Sequence, residues 1–309
     1  MQDLVATAKR FTAQYSNEEI VALLREPLII VAAPRSGSTL LFEQVMQQPG
    51  FWSIGGESHG IFRAFPQLRA ANEQLDSGAL TASHADPETA DMFRRCFVTL
   101  LRTHRGEPWL KMPDDVRPAR VTLVEKTPRN ALNIPFLRQV FPGARFLYLY
   151  RDARASVASI VEAWELGLRT GRFVTFRNLP GWDRPAWCFL LPEGWRDLRG
   201  KSLFDIAAFQ WSRSNARILD DLADVEPARR RAMSYEQLLE DAPAALAQVA
   251  EFAGVASDQT GHRDLPLSRT TVSPPARDKW RRVEGEVTAL ADTIDPIEER
   301  IESAVRQWG

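Results

Sequence analysis

The apolar and polar positions of the first sixty residues change rhythm twice. SNEEIVALLREP opens with Ser16, carries Glu19 three positions later, runs into spaced apolar residues and stops at Pro27. That pattern predicts a short helix with a capping box. An unbroken apolar run from Leu28 to Ala33 follows, the length and character of a buried strand. From about Ser38 the rhythm becomes helical, Leu41 with Val45 and Phe42 with Met46 repeating at four-residue spacing. Further on, Val121 to Glu125 and Arg145 to Tyr150 read as two more strands, separated by the amphipathic NIPFLRQVFPG. Strands alternating with helices predict an α/β fold built on a central parallel sheet with helices on both faces.

The stretch from about Gly60 to Trp109 reads as mainly helical. Between Leu203 and Leu222 the residues Ala207, Trp211, Ile218 and Leu222 form a stripe at helical spacing, the pattern of a core-facing helix. ARRRAMSYEQLLED predicts another short strand leading into a helix, and Pro296 is expected to divide the C-terminal helical stretch in two. RNLPGWDRPAWCFLLPEGWRDL follows neither period and holds Trp182, Trp187 and Trp195; it reads equally as a lid over a substrate and as an ordered loop packing its tryptophans inward or on a second subunit. No internal repeat or low-complexity segment breaks the pattern. The expected organisation is one domain over 1–309, with a helical insertion at about 60–110 and the candidate lid at about 176–199.

Composition narrows the class. The 309 residues are 44% hydrophobic, enough for a sizeable core, and Lys+Arg 39 against Asp+Glu 40 leaves a net charge of −1. Such a balance points away from nucleic acid and anionic membranes as partners, so any anion site must be local. Cys96 and Cys188 have no C-x-x-C spacing and suggest neither a disulfide nor a zinc site. No run is long enough to span a bilayer, and a soluble protein of a reducing, cytoplasmic compartment is expected.

The chemistry begins between the first strand and its helix, where AAPRSGSTLL forms a glycine-bearing turn of the kind that cradles phosphate. Ser38 stands where a nucleotide-triphosphate loop of the G-x-x-x-x-G-K-[ST] type has lysine, and Ala32 replaces its first glycine. Backbone N–H groups around Ser36 to Thr39, with the helix dipole, suffice for one phosphate, and Arg35 adds a guanidinium. The strand FLYLYRD ends on Arg151, where a magnesium-dependent phosphotransferase needs a carboxylate; Asp152 reads as a helix cap or, less simply, as a magnesium ligand. Arg151 and Ser159, eight residues apart across a strand-to-helix turn, are placed to converge on a second phosphate.

PRSGSTLL, GGESH and EKTP, in that order and followed by the Arg151/Ser159 spacing, resemble the sulfotransferases that use 3'-phosphoadenosine 5'-phosphosulfate (PAPS). The resemblance runs from about Pro27 to Trp164, with weaker support near Trp280. It implies a P-loop-NTPase-like sheet, PAPS as donor and no metal. It further implies that Arg35, Ser36, Gly37, Ser38, Thr39 and Leu40 hold the 5'-phosphosulfate and that Arg151 with Ser159 holds the 3'-phosphate. The order of motifs is most similar to the tyrosylprotein sulfotransferase type, whose glutamate in a Gly-Glu segment corresponds to Gly56-Glu57. The lysine-glycine motif of the cytosolic enzymes is not recognisable in SPPARDKW; Arg277, Lys279 and Trp280 stand as donor contacts with their roles open.

Sulfuryl transfer needs a base for the acceptor hydroxyl and positive charge on the leaving phosphate, and Glu57, Arg35 and Lys126 supply these. His59, two residues from Glu57, is the alternative base. Lys126 also reads as a partner of Glu125 or another carboxylate, and Glu57 as a simple helix cap. His84, His104 and His262 receive no role. The acceptor is left as a small-molecule, lipid or carrier-bound hydroxyl, an amine not being ruled out. The competing functions are a P-loop kinase using ATP and magnesium, disfavoured by Ser38 and Arg151, and a non-catalytic nucleotide-binding protein of the same fold.

Overall fold

The computed structural model describes residues 4–68, 77–256, 265–272 and 278–308. Arg277 and His262, and part of the helical insertion expected at 60–110, lie outside the described residues. Eight strands are present among them: β1 (Leu28–Val31), β2 (Phe51–Ser53), β3 (Arg102–Thr103), β4 (Thr122–Lys126), β5 (Arg145–Tyr150), β6 (Val174–Arg177), β7 (Ala186–Cys188) and β8 (Arg230–Ser234). Six form one sheet in the order β3-β2-β4-β1-β5-β8, and β6-β7 make a separate antiparallel pair. Within the large sheet all pairings are parallel except that of the edge strand β3 with β2.

The pleat sorts the core into two layers. Leu28 and Ile30 of β1 face one cluster with Val124, Leu147 and Leu149, whereas Ile29 and Val31 face the other with Leu123, Phe146 and Tyr148. The period of two thus buries both faces, which is why these strands read as continuous apolar runs. The helix Ser38–Val45 and the pair Tyr235–Glu240 and Ala242–Ala253 cover the first face; Leu203–Ala223, with its buried stripe of Ala207, Trp211, Ile218 and Leu222, belongs to the second layer. The predicted capping box is formed: the Ser16 hydroxyl accepts from the Glu19 N–H at 3.2 Å and the Glu19 carboxylate accepts from the Ser16 N–H at 2.7 Å.

Pro296 does not divide the C-terminal stretch. Ala291–Trp308 is one helix with Pro296 inside it, and the break falls earlier, after Glu284–Thr288. Leu290 is the pivot, its carbonyl accepting from the N–H groups of Thr293 and Ile294 at 2.9 and 3.1 Å. Pro296 lies in the second turn, where the one hydrogen bond it forgoes is offset by burial of Ile294, Ile301 and Trp308 along the inner stripe.

The tryptophan-rich stretch folds inward. Trp187 and Trp195 are fully buried, Trp182 is half-buried, and the three rings meet edge to face with centroids 4.8 to 6.1 Å apart. Gln210 ties this hairpin to the helix behind it, donating to the carbonyls of Cys188 and Leu190 at 2.8 and 2.7 Å while accepting from the Trp164 indole at 2.8 Å. Packing of this kind is what the inward-facing reading of the stretch describes. Cys96 and Cys188 are both buried, and neither is in a disulfide among the described residues. No helix among the described residues is long and apolar enough to cross a membrane.

Candidate active site

The C-terminal ends of β1, β4 and β5 open onto a cleft of about 1120 Å³, the position at which open α/β sheets hold ligands. The loop after β1 turns in the left-handed region at two positions, Arg35 with φ 66° and Gly37 with φ 85°. Gly37 is required there twice over: its φ suits glycine, and a Cβ would lie 2.2 Å from the Tyr235 ring, which packs flat against the loop. The helix starting at Ser38 has Gly37 at its cap and no side chain satisfying its first N–H groups, which leaves them available to an anion. Ser36 is buried among them with its Oγ unpaired among the described residues.

Two arginines frame this loop. Arg35 donates to Ser159 Oγ at 3.2 Å and to the Thr270 carbonyl at 2.9 Å, and its guanidinium lies over the Phe173 ring at 5.3 Å. Burial, and then the nearby Arg151, lower its pKa to about 10, so it stays charged while short of anionic partners. Arg151 donates to the Arg35 carbonyl at 3.1 Å and stacks on Tyr235 at 4.8 Å, its Nε unpaired among the described residues. The structure therefore brings Arg35, Arg151 and Ser159 together on one side of the loop. Asp152 caps its helix, accepting from the Ala155 N–H at 2.7 Å, and is not directed to a metal role by any contact.

On the other side stands Lys126, at the end of β4 and fully buried. It pairs not with its neighbour Glu125 but with Glu57, while also donating to Thr39 Oγ1 at 2.8 Å. One lysine thus bridges the phosphate-loop helix and the glutamate. Glu57 accepts from Lys126 on one oxygen and from His59 Nε2 on the other, at 3.2 Å. Burial raises the Glu57 pKa, but the His59 hydrogen bond and the charge and hydrogen bond of Lys126 outweigh it, holding the group at about 2. Burial pulls Lys126 down against the opposing attraction of Glu57. The cap position of the helix His59–Ala64 belongs to Ser58, not Glu57.

A buried network missed by sequence reasoning sets this geometry. Glu125 accepts from Ser58 Oγ at 2.5 Å, from Thr127 Oγ1 at 2.6 Å and from the Asn130 amide, and the Ser58 N–H donates to Thr127 Oγ1 at 2.7 Å. The residue between Glu57 and His59 is thereby clamped to the end of β4, and burial drives the Glu125 pKa up despite these donors. Tyr235 was also missed; it directly follows β8, and only the fold brings it beside the loop after β1.

Lys279 and Trp280 line the cleft from the C-terminal side, together with Thr270 and Thr271. Lys279 pairs with Glu162 at 2.6 Å, closing the C-terminal segment onto the helix Ala153–Thr170. Glu57, His59, Arg35, Gly37 to Leu40, Arg151 and Ser159 line the same cleft. Among the described residues no group of three or more His, Cys, Asp or Glu side chains is arranged to hold a metal ion.

The phosphate loop, the EKTP strand and the Arg151/Ser159 turn all fall within residues 27–184, the segment matched by the sulfotransferase family model. That match covers half of the chain. The chain belongs to the sulfotransferase family. Over 142 residues it is 30% identical to protein-tyrosine sulfotransferase 1 of Homo sapiens, covering 44% of this chain and 34% of that relative. The Mus musculus protein of the same name matches to the same extent. The matched region is about a third of the length of these curated relatives. A crystal structure of a sulfotransferase from Alicyclobacillus acidocaldarius aligns at a TM-score of 0.50 with 15% identity, over 92% of this chain and 97% of that one. This likeness supports the P-loop-like sheet that the resemblance implied.

Proposed function

We propose that this protein transfers the sulfuryl group of PAPS to an acceptor hydroxyl in the cleft, acting as one catalytic domain with Glu57 as general base. The observation that carries the reading is the double contact of Lys126, which binds Thr39 of the phosphate loop and Glu57 at once. A cation at that point touches both the leaving phosphate and the group that takes the acceptor proton, the two places where charge changes in an in-line displacement.

In this reading the 5'-phosphosulfate lies on the N–H groups of Ser36 to Leu40, with Arg35 beside it, and Arg151 with Ser159 takes the 3'-phosphate. The acceptor oxygen attacks sulfur as the bond from sulfur to the bridging oxygen breaks. The electron pair goes to the phosphate, where Lys126 and the loop N–H groups meet the charge. The acceptor proton goes to Glu57.

A carboxylate held at about 2 by its Lys126 and His59 partners is a weak base. Donor binding changes that, because the phosphosulfate offers Lys126 a second anion and loosens its hold on Glu57. Base strength then rises only when donor is in place. His59, on the far oxygen and lining the cleft, orients the carboxylate and carries its proton outward.

Thermal-shift titration with 3',5'-bisphosphoadenosine, against ATP with magnesium, tests the donor assignment. Stabilisation by the bisphosphate without a divalent ion is expected. Stabilisation by ATP only with magnesium overturns it, and absence of labelled sulfate transfer across a broad acceptor panel overturns the catalytic reading.

A further inference from the structure

Away from the phosphate loop, the cleft has a wall that the transfer chemistry does not use. Three residues beyond Lys126, Arg129 faces it from the turn Pro128–Leu132, its guanidinium 4.2 Å from the centroid of the Phe62 ring. Its one hydrogen bond among the described residues is a long contact of 3.5 Å to the Leu68 carbonyl. No carboxylate forms an ion pair with it among the described residues, and the charged neighbour that acts on it is Arg63, of the same sign. Burial, then Arg63, bring its pKa down to about 10, which still leaves it cationic at neutral pH.

A largely buried guanidinium without a counter-ion is costly, and the usual resolution is a carboxylate nearby. Here the planar fork lies over the Phe62 ring and lines a cavity instead, an arrangement that suits bidentate capture of an oxyanion. The cleft it faces has a large apolar share, with Leu132, Phe176, Phe189, Leu191 and Phe204 among its lining. In the proposed reading the donor's phosphates have their own cations in Arg35, Arg151 and Lys126.

We infer that the acceptor is an amphipathic hydroxyl compound whose body packs on this apolar wall and whose anionic group, a carboxylate or phosphate, is held by Arg129. The inference rests on the proposed sulfotransferase reading for the word acceptor, and on Arg129 alone for the anion. Such a substrate places a fixed charge at one end and leaves its hydroxyl to be presented to Glu57, so that Arg129 selects for and orients it.

The test compares omega-hydroxydodecanoate with its methyl ester, and para-hydroxyphenylpropanoate with its methyl ester, by calorimetric titration into protein with and without bisphosphoadenosine. The monophosphate of dodecanediol distinguishes the two anion types. Each acid or the phosphate is expected to bind about tenfold or more tighter than its neutral counterpart. Arg129→Gln should erase that preference while leaving the Kd of PAPS and of the bisphosphate within about twofold. Arg129→Lys, which keeps the charge and guards against a folding defect, should retain part of it. Equal binding of acids and esters by the unaltered protein overturns the inference, as does a preference that survives Arg129→Gln. A loss confined to PAPS places Arg129 at the sulfuryl group and also overturns it. Failure of the bisphosphate to bind defeats the donor reading instead, and the acid-ester comparison without it still decides the anion.

Discussion

The ammonium of Lys126 is bonded to the carboxylate of Glu57 across the mouth of the phosphate loop, so the residue proposed to meet the leaving group and the residue proposed to take the proton form one ion pair. Neither acts freely until something displaces the other. Most of the expected behaviour of the site follows from that coupling.

Glu57→Gln removes the base and the lysine's partner together. Transfer is expected to fall about a hundred- to ten-thousandfold. Bisphosphate binding should be retained and even tightened, because Lys126 no longer has a carboxylate competing for it. Loss of transfer with weakened bisphosphate binding, measured by titration, would show Glu57 acting to hold the loop. His59→Ala is expected to be milder in rate.

The pH dependence has a definite sign. Glu57 is held at about 2 against an ordinary 4.5, so its contribution to stability is complete above 4.5 and is lost as pH falls toward 2. Chemical denaturation of the parent protein and of Glu57→Gln over that window should therefore converge at the acid end. In rate profiles, kcat/KM for the donor reports the free enzyme and kcat the bound complex. The acid limb of kcat should lie higher, since bound donor draws Lys126 away from Glu57.

Arg151→Ala is expected to weaken bisphosphoadenosine much more than 5'-AMP, the guanidinium being assigned to the 3'-phosphate. Because Arg151 also donates to the Arg35 carbonyl, a small common loss is expected for both ligands. Equal large losses, read by calorimetry, would mean that the arginine works only by shaping the loop.

Gly37→Ala places a Cβ against the Tyr235 ring in left-handed backbone. A cost of about 1–2 kcal/mol from backbone alone, added to the clash, should lower the Tm and abolish bisphosphate binding. Gly60→Ala, with nothing within 4 Å of the new atom and a helical site, should instead raise stability by about 0.5–1 kcal/mol.

Amides of Ala186–Cys188 should exchange slowly in the ligand-free protein, since the strand is buried and Trp187 lies at the centre of the tryptophan cluster. Trp187→Ala is expected to cost about 3–5 kcal/mol. Rapid exchange there that slows on acceptor binding would restore the lid reading of the stretch.

The sequence by itself determined β1, β4, β5 and β8, the glycine-bearing turn after β1 and the order of the motifs, but not β2, β3, β6 or β7. Local rules are strong for these features: period-two burial makes Leu28–Val31 and Arg145–Tyr150 legible, and Ser16 with Glu19 can cap only a helix start. It also marked Arg151 and Ser159 as candidates by their spacing across a strand-to-helix turn, and Glu57 and Lys126 as candidates through the family resemblance of GGESH and EKTP. The tertiary structure decided which of those residues meet. Lys126 faced a choice between adjacent Glu125 and distant Glu57, and alternation along β4 sends the two side chains of 125 and 126 to opposite faces, so the nearest carboxylate in sequence is not the nearest in space. Pro296 was misread because its cost in the second turn of a helix is local, whereas the burial of Ile294, Ile301 and Trp308 that outweighs it comes from the packed core. Tyr235 against Gly37 and the charge of Arg129, without an ion-pair partner among the described residues, had no local signal at all, since each is defined by residues far away along the chain that only the folded sheet brings alongside.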